Sequence, residues 1–204
     1  MRYVIMANGQ GTRWKMFQGV PKHLIEIEGE TLLQRTTRLV HELDPDGEVI
    51  ISSSNPDCVA VGAERYVPKR NELEIDRFVP ELMCNDMIFL YGDTFYTKES
   101  LSKIIGEPTD KLMFFGNEKS IVAIKIHDAE VMRHCFNEVR QSYIDGKIDA
   151  CKGWQVYHHY IEKHHHAKLH RAHEIGADFM RTDDATGDFN TPEDWLDFQT
   201  RTQP

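Results

Sequence analysis

Four short apolar runs, each about one buried strand long, most constrain what this chain can fold into. They are Arg2 to Ala7 (RYVIMA), Glu48 to Ser53 (EVIISS), Asp86 to Tyr91 (DMIFLY) and Ser120 to Ile126 (SIVAIKI), with Lys111 to Phe115 as a weaker fifth. The runs are continuous, the pattern expected of strands covered on both faces. Between them lie helical patterns. Thr31 caps a helix to about Leu43, with Leu32, Leu33, Thr36, Leu39 and Val40 on one face. Thr97 opens a short helix to Ile105, and Asp128 a longer one to about Tyr143. A helical region runs roughly from Asp149 to His166. Asn71 to Met83 also has a helical apolar pattern, which Pro80 should kink or end. Thr191-Pro192-Glu193-Asp194 is a helix start, with a capping hydroxyl, proline at the first position and two acids at the positive end of the dipole. Strands alternating with helices imply an α/β fold with a mostly parallel sheet. Such sheets bind ligands beyond the carboxyl ends of the strands, where the winding reverses. Two features follow strands directly: a glycine loop after Ala7, and Gly92-Asp93 after Tyr91.

Charge and composition narrow the partners. With 24 Lys plus Arg against 33 Asp plus Glu, the formal net charge is −9. Polyphosphate backbones need a basic field, so nucleic acid is not expected as a partner. No window approaches the roughly 18 uninterrupted apolar residues of a membrane span, and the first run is too short for a signal peptide. Cys58, Cys84, Cys135 and Cys151 are widely spaced with no C-x-x-C pair, as in reduced core cysteines. The expectation is a cytoplasmic protein of one domain, residues 1–204, with no membrane partner; a homodimer is left open.

The loop carries the chemistry. Asn8 to Trp14 reads NGQGTRW, and Pro21-Lys22-His23-Leu24 follows seven residues later. Gly9 and Gly11 let backbone N–H groups approach phosphate oxygens without an intervening Cβ. Arg13 offers a planar fork and Lys22 a mobile point charge. Trp14 occupies the third glycine position of the dinucleotide fingerprint, and no G-K-[ST] makes this a P-loop.

The whole stretch, MANGQGTRW then PKHL then IEGETLL, resembles the signature of the sugar-phosphate and phosphocholine nucleotidyltransferases: A-A-G-x-G-x-R, a gap, P-K-x-L and G-x-x-L-L. Ala7, Gly9, Gly11, Arg13, Pro21, Lys22, Leu24, Gly29, Leu32 and Leu33 match; Asn8 stands where the family has a small residue. Leu90-Tyr91-Gly92-Asp93 is similar to the family's strand ending in G-D, and Asp188-Phe189-Asn190-Thr191-Pro192-Glu193-Asp194 to its late D-[IV]-N-T-P-E-D form. The resemblance implies a Rossmann-like single domain, with a mostly parallel mixed central sheet flanked by helices. It also implies transfer of a nucleoside monophosphate from a triphosphate, CTP or UTP favoured, to a sugar phosphate or a choline- or polyol-like phosphate, releasing pyrophosphate. Ala7, Asn8, Gly9, Gly11 and Asn71 are then expected at the nucleotide, and Arg13 and Lys22 at the transferring and leaving phosphates. Asp93 and either Asp188 or Asn190 are expected at Mg2+, a hard ion that takes oxygen ligands. A phosphate nucleophile is already ionised, so no general base is required.

Lys125, Lys152 and Trp154 are candidates for contacting the acceptor. His158, His159, His164, His165, His166, His170 and His173 suggest a soft-metal site, but without H-E-x-x-H a solvated helix face is the better reading, with one or two lining the acceptor pocket. A glycosyltransferase of related fold would show D-x-D, where Tyr91-Gly92-Asp93 has one acid. A catalytically silent binding module would lack Arg13, Lys22 or Asp93, and all three are present.

Overall fold

The computed structural model describes residues 1–9, 11–163 and 175–202. In chain order its elements are β1 (Arg2–Met6), β2 (Glu26–Ile27), β3 (Glu30–Thr31), α1 (Leu32–Leu43), β4 (Glu48–Ser52), β5 (Glu64–Tyr66), β6 (Met87–Tyr91), β7 (Thr94–Phe95), α2 (Lys98–Gly106), β8 (Leu112–Gly116), β9 (Ile121–Ile126), α3 (Ala129–Ile144), α4 (Gly153–Tyr160), β10 (Phe179–Arg181), β11 (Gly187–Asp188) and α5 (Pro192–Thr202). Seven strands form the central sheet in the order β10-β8-β9-β6-β1-β4-β5. All run parallel except β9, which is antiparallel to both β6 and β8.

The apolar runs become strands buried on both faces because successive side chains point to opposite sides. Val4, Met6 and Phe89 face one core with Met132, Phe136 and Val139 of α3 and Val156 and Tyr157 of α4. Tyr3, Ile5, Ile88 and Leu90 face the other, with Leu33, Leu39 and Val40 of α1 and Leu101 and Ile104 of α2. A third cluster joins Trp14, Ile25 and Leu32 to Phe95, Phe189, Trp195 and Phe198, tying the glycine loop to α5. Each fully buried aliphatic or aromatic side chain contributes about 1.5–3 kcal/mol, so these layers dominate the stability.

The helix starts read from sequence are capped as expected. Thr31 accepts from the Gln34 N–H at 3.1 Å, Thr97 from Ser100 N–H at 3.0 Å, and Asp128 from Glu130 and Val131 N–H at 3.0 and 3.2 Å. Thr191 accepts from Asp194 N–H at 3.3 Å, and the Asp194 carboxylate accepts from Thr191 N–H at 2.7 Å.

Two expectations are corrected. Asn71 to Met83 is not a helix but two short 3-10 turns, Glu74–Arg77 and Pro80–Leu82. Pro80 lacks an N–H and disfavours helical backbone in the residue before it, and Val79 is accordingly extended (φ −62°, ψ 106°). The region from Asp149 is helical only over Gly153–Tyr160; His164, His165 and His166 lie outside the described residues. Among those described, no helix is long and apolar enough to cross a membrane.

From β1 the chain winds through α1 to β4 and β5, then returns to place β6 on the other side of β1. This reversal opens a crevice at the carboxyl ends of β1 and β6. The two ends approach closely: Gly92 N–H donates to Met6 C=O at 3.0 Å. A Cβ on Gly92 would lie 2.9 Å from that oxygen and 3.2 Å from the Ala7 Cβ, so glycine is required there.

Candidate active site

The glycine loop leaves β1 at the crevice. Gly11 has φ +60°, and its carbonyl accepts from both Trp14 and Lys15 N–H, turning the chain. Trp14 is only 1% exposed; its indole N–H donates to Val20 C=O at 2.9 Å and its ring meets Phe17 edge-on. The residue that breaks the dinucleotide fingerprint is thus the loop's hydrophobic anchor. Beside it, Arg13 donates from Nη2 to Asn190 Oδ1 at 2.8 Å. Farther on, Lys22 opens a 3-10 turn and forms a buried ion pair with Asp93.

A small antiparallel ladder delivers the late carboxylate. In it β11 pairs with β7, Asp188 lies opposite Thr94, and Phe189 N–H donates to Asp93 C=O at 2.8 Å. Asp188 accepts from the Asn190 side-chain amide, and Asn190 N–H is held by Asp194 at 2.9 Å. Asp93, Asp188 and Asn190 therefore converge on one spot. Their environments push the two carboxyls apart. Burial is the largest influence on Asp93 and raises it, but the charge and hydrogen bond of Lys22 together with the nearby charge of Arg77 outweigh it in sum, and the carboxyl stays below its ordinary value. Asp188 is raised, first by burial and then by the negative charge of Asp93. His23, fully enclosed next to this pair, is lowered by burial to about 4, so its ring is neutral at pH 7.

The sequence candidates line one cleft of about 350 Å³: Asn8, Gly9, Gly11, Arg13, Lys22, Asn71, Lys152 and Asn190. Four cations (Arg13, Lys22, Arg77, Lys152) face two lining carboxylates, Glu72 and Glu74, so the lining is cationic on an acidic body. An adjoining recess of about 190 Å³ lies between Ala7, Asn8, Gly9, Ser53, Ser54 and Asn71. There Asn8 Oδ1 accepts from Ser54 N–H at 2.9 Å and Ser54 hydroxyl at 2.7 Å, bracing the loop against the end of β4.

Two acceptor candidates lie elsewhere. Lys125 sits opposite Ile88 and Met113, near the amino ends of the parallel strands, and its ammonium donates to the carbonyls of Ile105 and Glu107 at 2.7 and 2.6 Å. It caps the end of α2. Trp154 is 7% exposed and stacks on Phe179 with centroids 5.6 Å apart, so it is core. His158 is buried and packs on Trp154 and Tyr157, and neither it nor His159 lines the cleft. His164, His165, His166, His170 and His173 lie outside the described residues.

Arg77 and Glu74 are functional candidates that the sequence did not expose. They belong to the segment read as an amphipathic helix, where charged residues pass for a solvated face.

The donor set suits magnesium: two carboxylates and an amide oxygen, the hard ligands this ion takes in small number beside phosphate and water. Asp188, destabilised as an anion first by burial and then by Asp93, is the group a cation there would relieve. Among the described residues, no three His, Cys, Asp or Glu side chains gather into a denser ligand set.

No protein-family model and no curated protein matches the chain. Solved structures do. A 4-diphosphocytidyl-2C-methyl-D-erythritol synthase from Anaerococcus prevotii superposes with TM-score 0.65 at 12% identity, over 100% of this chain and 96% of the other. A putative glucose-1-phosphate thymidylyltransferase from Bacillus anthracis gives 0.62 at 11%, over 98% and 94%. A CTP:phosphocholine cytidylyltransferase from Streptococcus pneumoniae gives 0.60 at 10%, over 99% of both chains. At such identities the likeness is one of fold, extending over essentially the whole chain: the α/β fold of these nucleotidyltransferase structures.

Proposed function

We propose that this protein is a magnesium-dependent nucleotidyltransferase that joins a nucleoside monophosphate to the phosphate of a small acceptor. The observation that carries the reading is the convergence of three distant segments in one crevice, through the Lys22–Asp93 ion pair and the Arg13–Asn190 hydrogen bond. The fold likeness to enzymes named for cytidylyl and thymidylyl transfer supports it.

In the reaction, an acceptor phosphate oxygen attacks the α-phosphorus while the bond to the pyrophosphate oxygen breaks in line. The nucleophile arrives ionised, so the residues have charge to manage rather than protons to move. The Gly9 and Gly11 backbone cradles the triphosphate. Arg13 and Lys22 neutralise charge on the transferring and leaving groups. Ala7, Asn8 and Asn71 border the recess where a base of the cytidine or uridine class would sit, and Lys152 faces the acceptor. Asp93, with Asp188 or Asn190, would hold Mg2+, which supplies charge neutralisation at the phosphates. The acceptor is a sugar phosphate or a choline- or polyol-like phosphate, whose hydroxyl or cationic part the amides and carboxylates along the cleft can meet. Under this reading the protein works in the cytoplasm as one domain over residues 1–204, with no nucleic-acid or membrane partner. The free state of Cys58, Cys84, Cys135 and Cys151 agrees with a reducing compartment.

The test is pyrophosphate release from each of the four nucleoside triphosphates against pooled phosphorylated metabolites, in wild type, Lys22→Ala and Asp93→Ala. One nucleotide and pool should release pyrophosphate, and each substitution should lower the rate about 100- to 1000-fold, as for loss of one charge-stabilising donor. Unchanged turnover in both variants would falsify the site. Silence with every pool would favour a nucleotide-binding module that has lost catalysis.

A further inference from the structure

Arg77 is anchored on three sides. Its Nε donates to the Glu74 backbone carbonyl at 2.9 Å, its Nη2 to Glu74 Oε1 at 3.0 Å, and its guanidinium lies over the Tyr91 ring, 5.8 Å from the centroid. The other carboxylate oxygen of Glu74 is 3.4 Å from the Lys152 ammonium, at the start of α4. One carboxylate thus serves two cations from different walls of the cleft.

The arrangement is built for exchange. Glu74 and Lys152 side chains are 41% and 51% exposed and Arg77 23%, so both ion pairs of Glu74 reach solvent, where such pairs are weak enough for a ligand anion to replace. If the Glu74 carboxylate moves aside, Arg77 keeps its bond to the backbone carbonyl and its seat on Tyr91. The guanidinium stays in position with N–H donors released for a new partner, in the fork geometry that matches a phosphate. Lys152, on the facing wall, adds a mobile charge. Arg13 and Lys22 pair instead with Asn190 and Asp93, so the cleft holds two sets of cations with different partners. A reaction between two phosphate anions calls for two such sets.

We infer that Arg77 and Lys152 form the site for the dianionic phosphate of the acceptor, and that Glu74 is a resident counter-ion which this phosphate displaces. The word acceptor rests on the nucleotidyltransferase reading; the anion site does not.

Inorganic phosphate is the probe, titrated calorimetrically onto the protein loaded with magnesium and α,β-methylene CTP or UTP, which occupy the glycine loop without releasing pyrophosphate. Wild type, Arg77→Gln and Glu74→Gln are compared. Arg77→Gln should weaken phosphate binding roughly tenfold or more, the scale of one hydrogen bond to a charged group. Glu74→Gln should tighten it about two- to fivefold, since a competing exposed ion pair is gone. The affinity for the nucleotide analogue should stay within about twofold in both variants. Opposite shifts in the two variants separate this from local misfolding, which would weaken both. Equal weakening, no change in either, or parallel loss of the nucleotide analogue in Arg77→Gln overturns the assignment. If neither analogue binds wild type, the titration is repeated on the free protein. Opposite shifts there sustain the anion site while the cytidylyl or uridylyl reading falls, and their absence sinks the anion site as well.

Discussion

Replacing Lys22 with methionine should destabilise the protein through the charge it abandons. Methionine keeps most of the apolar stem, so what is lost is the ammonium paired with Asp93. The side chains are only 10% and 8% exposed, which puts the pair in the buried regime, where removing one partner costs about 3–5 kcal/mol. A ceiling comes from protonation. Neutralising a carboxyl of ordinary pKa at pH 7 costs about 4 kcal/mol, so Asp93 takes up a proton before the penalty grows further. At about 2–4 °C per kcal/mol for a domain of this size, the melting temperature should fall by roughly 6–16 °C. The sign with pH is fixed. In wild type the lowered Asp93 contributes stability that is present above pH 4 and lost as pH falls through its depressed value. In the variant its folded value is raised, so the penalty is full at pH 7 and fades as pH falls towards the unfolded value near 4. Urea melts of both proteins at pH 7 and pH 4.5 should therefore converge on acidification. The double variant Lys22→Met/Asp93→Asn, which removes both charges, should recover most of the stability but no pyrophosphate release. A gap as large at pH 4.5 as at pH 7, or a double variant no more stable than the single one, would refute the reasoning.

Trp14→Ala should cost about 3–5 kcal/mol in a urea melt, because it empties the cluster that fixes the glycine loop against α5. It should also lower nucleotide affinity, although Trp14 carries no phosphate-binding group; unchanged affinity would mean that the loop holds its shape without the anchor. Asp76, buried, accepts from Arg140 Nε and Leu73 N–H, both at 2.9 Å, and so ties the turn carrying Glu74 and Arg77 to α3. Burial raises its pKa, but these bonds outweigh it and the net shift is downward. Asp76→Asn should lose about 1.5–3 kcal/mol at pH 7, and the gap in thermal melts should narrow as pH falls below about 4.

Local chemistry determined a good deal before any fold was visible. The strand runs, the capping residues Thr31, Thr97, Asp128 and Thr191, and the three segments that meet in the cleft were all legible, because each depends on neighbours only a few residues away. Tertiary structure decided the rest. A continuous apolar run does not state its direction in the sheet. Because β9 is antiparallel, its later residues point to the amino ends of its neighbours, and Lys125 caps α2 on the far side from the cleft. Trp154 shows the same limit for aromatics, whose exposure depends on what packs opposite, here Phe179. Arg77 and Glu74 face the cleft because Pro80 breaks the expected helix and leaves a tight turn in its place. The partnership of Asp93 with Asp188 rests on a two-residue ladder between segments far apart in the chain. The chain by itself determined which groups could handle phosphate and metal. Only the sheet, by reversing its winding at β1 and β6, decided which of them meet.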